Sequence, residues 1–134
     1  PTIWKKRPTI DMKQVWFAGA HSNVGGSYKP DKDGSLTSDT PLAWMLREAK
    51  ELTVEPVLKQ RLKAKDTASL HNSRRSFYRI RKMYFRDLDH KEGDILIHES
   101  VKRRWDALGD DYRPKNLMKY LDQVGGWGNV QRVK

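Results

Sequence analysis

One run, Lys13-Gln-Val-Trp-Phe-Ala18 ending at Gly19, reads as a buried β-strand, and the rest of the periodic sequence reads as helix. That single feature restricts the fold more than any other. A lone strand exposes unpaired N–H and C=O groups along both edges, so it needs neighbours to be stable. The expectation is a fold in which one strand feeds a mostly helical remainder, on a sheet that is incomplete as read.

The helical segments have recognisable starts. Ser38, Asp39 and Thr40 are all competent N-caps, and Pro41 suits a first helical turn, where its missing N–H costs nothing. Leu42, Met45, Leu46 and Ala49 then fall at i, i+3, i+4 and i+7, which predicts one apolar face with Trp44 at its margin. This helix is expected to fade at Leu52 to Glu55, before Pro56. A short polar helix is expected over Val57 to Lys63, and another from Ser73, where Phe77, Ile80 and Tyr84 share a face. Ile95 and Ile97 lead into a helix from Glu99 carrying Val101, Trp105 and Leu108. Leu117, Leu121 and Val124 form a last stripe before Gly125-Gly-Trp-Gly128 ends regular structure.

Composition limits what this pattern can bury. The chain has 134 residues, 37% hydrophobic and 33% charged, with a mean hydropathy of -0.88. One domain of this length buries roughly two-thirds of its extended surface, but the apolar supply is thin for an independent core. Five Trp, five Tyr and three Phe, spread along the sequence, argue for folding over disorder. There is no cysteine, which removes disulfides, thiolate zinc sites and thiol nucleophiles. The formal charge of +10 favours polyanions: nucleic acid, anionic lipid or an acidic partner. No apolar run approaches the roughly 20 residues of a membrane span. No signal peptide is visible, and a chain opening on Pro1 suggests a piece of something longer or a processed product.

His21 follows the strand. A serine esterase needs a base that takes the hydroxyl proton and returns it to the leaving group, held in one tautomer by a carboxylate. In α/β-hydrolases that histidine comes last in the chain, after a late strand. Gly19 would let the chain turn off the strand, and Gly25 and Gly26 would let it fold back, with N–H groups free to form an anion nest. Spacing alone leaves both a catalytic and a structural histidine open.

The segment Val15-Trp-Phe-Ala-Gly-Ala-His-Ser-Asn-Val-Gly-Gly-Ser-Tyr28, followed by Leu42-Ala-Trp-Met45, resembles a family of α/β-hydrolases that includes phospholipase effectors of bacterial type VI secretion. Leu70-His-Asn-Ser73, Ile97-His-Glu-Ser-Val101 and Tyr112-Arg-Pro-Lys-Asn-Leu117 are similar to further segments of it, so the likeness runs from about Gln14 to Leu117. The resemblance implies that His21 is the triad base, supported by Gly19, Ser22, Asn23, Gly25 and Gly26. It implies an ester or lipid substrate. No cofactor is expected, and no metal either, since the histidines lack the i, i+4 spacing of a helical pair and the acidic clusters lack metal-loop spacing. Location in the producing bacterium's cytoplasm, or export by type VI secretion, goes with it. Ala18 stands where the family usually has Pro, Asn23 where Asp is commoner, and Ser27 where Gly is commoner. No Gly-x-Ser-x-Gly elbow occurs, and Asp11, the one acidic residue before His21, is too close to the strand for the usual acid.

The expectation is therefore the C-terminal part of an α/β-hydrolase: residues 1–120 carry the histidine loop, and residues 121–134 form a tail. The nucleophile and acid lie in the remainder of the hydrolase domain, a partner this chain needs. Ser73 to Arg86, with arginines interleaved by Phe and Tyr, suits an anionic membrane surface better than nucleic acid. His71 and His98 each precede a helix start and read as capping or packing residues, with His90 in a charged loop. The rival class is a non-catalytic basic module binding anionic lipid, nucleic acid or a partner protein.

Overall fold

A computed structural model describes residues 8–9, 11–49, 60–72, 85–88 and 95–134. The chain divides into two units, Phe17–Arg81 and a second made of Pro1–Trp16 with Lys82–Lys134.

The second unit is built on a parallel sheet of three short strands in the order β1 (Val15–Trp16), β2 (Leu96–His98), β3 (Arg132–Val133). Val15 pairs with Leu96 and Ile97 with Arg132, and Ile97 N–H donates to the Gln131 carbonyl at 3.0 Å. Parallel neighbours need long crossovers. From β2 to β3 the crossover holds α3 (Glu99–Leu108) and α4 (Lys115–Val124), joined by a 3-10 turn at Gly109–Asp111. Ile97 is 1% exposed and centres a core with Leu88, Ile95, Val101, Leu117, Leu121 and Val130.

The molecule is thus a small α/β arrangement, with two corrections to the sequence reading. The expected strand lies at the edge of a three-stranded sheet, paired with β2, and it covers only Val15–Trp16, half-buried, instead of Lys13 to Ala18. Strands of two and three residues are shorter than the roughly four to eight residues over which alternation becomes readable. Residues 121–134, read as a tail, hold the end of α4, a 3-10 turn at Trp127–Asn129 and β3, with Val130 buried. Gly125, in the left-handed conformation, ends α4 by sending its N–H back to the Asp122 carbonyl, as its sequence position implied.

His98 caps α3: its Nδ1 accepts the Ser100 N–H at 3.2 Å. This is the capping role read for it from sequence. The buried face of α3 is Ser100, Val101 and Arg104, rotated from the predicted Val101–Trp105–Leu108 stripe. Trp105 is half-buried under Arg113, whose guanidinium lies 3.9 Å from the ring centroid, and meets Trp127 edge-on at 5.8 Å.

The other unit contains α1 (His21–Gly25) and α2 (Asp39–Glu48). Ser38 precedes α2 and Pro41 sits in its first turn, as predicted, but the buried face is reversed. Asp39, Thr40, Pro41 and Trp44 point inward, whereas Leu42 is 38% and Met45 55% exposed. Trp44 is the larger apolar surface and meets Phe17 edge-on at 5.8 Å. Asp39 can be buried because its carboxylate accepts the Lys63 N–H at 2.7 Å.

That bond is one of a set that lays the 31–39 loop along residues 63–69. Asp31 accepts the Ser69 N–H at 2.8 Å, and Asp33 pairs with Lys65 Nζ at 2.6 Å. Thr37 Oγ1 donates to the Ser69 carbonyl at 2.9 Å, and Leu36 bridges to Ala64. The Ser69 N–H holds the Asp31 carboxyl below its ordinary range, and the Lys65 ammonium does so more strongly for Asp33. A carboxyl depressed in the folded state adds stability above its unfolded pKa and loses it as pH falls through the folded one. The clamp is therefore expected to hold at neutral pH and to loosen as the pH falls below about 4. Hydrogen exchange at the Ser69 amide checks this, and protection unchanged down to pH 2 would refute it. Lys65 and Asp33 are each half-exposed, so Asp31, bonded to backbone, should dominate the effect.

The helix expected over Val57 to Lys63 lies largely outside the described residues, and Gln60–Arg61, which are described, are helical. The basic run Ser73 to Arg86, apart from Phe85 and Arg86, lies outside them too, as does His90. Among the described residues no helix is long and apolar enough to cross a membrane.

Candidate active site

After β1 the chain runs through Phe17 to Ala20 and enters α1 at His21. The structure replaces the expected histidine loop with this five-residue helix. Its construction explains most of the motif. Gly19 has φ +104, a conformation open to glycine and strained for other residues. Ala20 is extended, and Asn23 folds back onto it: Asn23 Oδ1 accepts the Ala20 N–H at 3.0 Å while Asn23 N–H donates to the Ala20 carbonyl at 2.9 Å. This reciprocal pair closes the first turn. Asn23 is 3% exposed and packs so tightly under Gly19 that a Cβ there would meet Asn23 Cβ at 2.5 Å.

His21 is exposed at the head of this turn, on a backbone fixed by Gly19 and Asn23. Gly25 ends α1 with ordinary backbone and open space around it, whereas Gly26 takes φ +75 and turns the chain away. Only one glycine of the pair is conformationally required. Of the predicted residues, α1 brings His21, Ser22, Asn23 and Gly25 onto one turn, with Gly19 and Gly26 as its flanking hinges. No described carboxylate is hydrogen-bonded to His21.

Asn23 answers part of the question its identity raised. The Ala20 N–H fixes which side-chain atom is oxygen, and an aspartate could accept the same bond. The difference lies in the second atom: Asn23 Nδ2 is buried and has no hydrogen-bond partner among the described residues. A buried donor left unpaired costs about 1–3 kcal/mol, so this atom is the least satisfied group of the turn.

Sequence reasoning missed the cleft beside α1. It is small, and Ser22, Asn23, Tyr28, Lys29 and Ser38 line it together with His71 from a distant segment. His71 stacks on Tyr28, ring centroids 4.6 Å apart. The expected packing role is therefore met, at the rim of a cleft. No local pattern could have joined residues 22–38 to 71, since the carboxylate clamp does so. Among the described residues no group of His, Asp and Glu side chains is arranged to hold a metal ion.

Residues 1–48 match the family model for the catalytic domain of Tle1-like phospholipase effectors of type VI secretion. The matched span contains the whole His21 motif and Leu42-Ala-Trp-Met45, and it agrees with the resemblance read from those residues. No curated protein and no solved structure matches the chain.

Proposed function

We propose that this chain supplies the base histidine of a serine hydrolase that attacks lipid esters, and that the serine and acid come from the remainder of an α/β-hydrolase domain. The observation that carries the reading is the phospholipase-effector match across a histidine turn that is both closed by its own hydrogen bonds and open to solvent. His21 takes the proton of the attacking serine, then returns it to the departing alcohol. Asn23 and Gly19 position it by fixing the first turn of α1. Export by the type VI route goes with the same reading.

A base without a nucleophile does no acyl transfer, and without the elbow there is no oxyanion hole. The isolated 134 residues should hydrolyse a p-nitrophenyl ester no faster than free imidazole does, and should resist labelling by a fluorophosphonate, which reports activated serines. Robust turnover, or stoichiometric labelling of any serine here, would sink the divided-site reading.

A further inference from the structure

The cleft beside α1 has a composition that the histidine's role does not require. Ser22, Tyr28, Lys29 and His71 line one small opening, and their side chains carry two hydroxyls, an ammonium and an imidazole. Asn23, 3% exposed, belongs to the same lining, and its buried side-chain amide has no acceptor among the described residues. Donors converging on a shallow cleft call for oxygen acceptors with negative charge, which several hydrogen bonds can share. Asp31 is the carboxylate in the lining, and its Oδ2 is already engaged by the Ser69 N–H at 2.8 Å. The opening is too small for a whole headgroup and suits single phosphoryl oxygens.

We propose that this cleft holds the phosphate oxygens of a phospholipid headgroup, with Asn23, Lys29 and Tyr28 as donors. The choice of headgroup rests on the lipid-ester reading; phosphate binding itself does not. His21 and Asn23 share the five residues of α1, so a phosphate held at Asn23 would keep the lipid's glycerol esters near the base. Binding energy spent on a non-reacting group then orients the reacting one.

The full chain is titrated with glycerophosphocholine, with inorganic phosphate and with glycerol, following the side-chain amide of Asn23 by ¹H–¹⁵N spectroscopy. Both phosphates are expected to shift that resonance and glycerol to leave it in place. Lys29→Gln and Tyr28→Phe should each weaken binding about tenfold with an unchanged melting temperature. An Asn23 resonance that ignores phosphate, or full affinity in both variants, would overturn the site. A response to inorganic phosphate alone would overturn the headgroup assignment. The two readings fail separately, because phosphate binding needs no serine. A phosphate-binding chain from a protein inert towards lipid esters refutes the hydrolase, while an active hydrolase with an unresponsive Asn23 refutes the cleft.

Discussion

Replacing His21 with alanine is expected to lower kcat of the assembled hydrolase about 10⁴-fold or more, with little change in melting temperature. The two halves of that expectation come from different facts. Loss of the base leaves the serine without an acceptor for its proton, and triad members act as a unit, so removing one forfeits most of what the set contributes. Exposure of His21 means that its ring makes few packing contacts to lose, and exposed substitutions typically change stability by under about 0.5 kcal/mol. A structural histidine gives the opposite pattern, with stability falling and the residual enzyme turning over normally. The measurement is steady-state hydrolysis of a lipid ester by the whole protein, beside a thermal melt of the same variant. Unchanged kcat would remove His21 from the chemistry and leave the basic binding module as the better description.

The motif around His21 was legible because its parts are local. Gly19, the histidine and Asn23 lie within one turn, and each does something that neighbouring backbone dictates. Two caps were legible for the same reason: His98 at α3 and Gly125 after α4 act on backbone within a few residues, whereas Ser38 marks the start of α2 without a side-chain capping bond. Faces were less so. Periodicity identified Leu42 and Met45 as an apolar stripe, yet Thr40, Pro41 and Trp44 turn inward. Helical spacing gives the angle between residues, and what lies opposite decides which angle faces in. Trp44 has Phe17 to meet, and Asp39 has the Lys63 N–H; both partners are distant in sequence. β2 and β3 escaped notice because pairing, not pattern, makes strands of three and two residues. The cleft escaped because its walls meet only after the 31–39 loop lies down on residues 63–69.

Gly19→Ala and Gly25→Ala should separate sharply despite being the same chemical change six positions apart on the same motif. At Gly19 the added Cβ meets Asn23 Cβ at 2.5 Å and Leu70 Cδ2 at 2.9 Å, and the backbone sits at φ +104. Holding a non-glycine residue in such a region costs about 1–3 kcal/mol, and forcing a packed side chain aside costs about as much again. Asn23 cannot yield freely, because moving it breaks its bond to Ala20 and opens the turn that presents His21. Against a total stability of about 5–15 kcal/mol for an ordinary domain, that loss should lower the melting temperature markedly and abolish hydrolysis by the assembled enzyme. Gly25 is helical, and a Cβ added there would meet nothing within 4 Å beyond its chain neighbours and the backbone of its own helix. Alanine at this position should therefore be neutral, or stabilise by up to about 1 kcal/mol by restricting the unfolded chain. Equal behaviour of the two variants in melting and in hydrolysis would mean that the turn is not held as described. His21 would then have no fixed position from which to act.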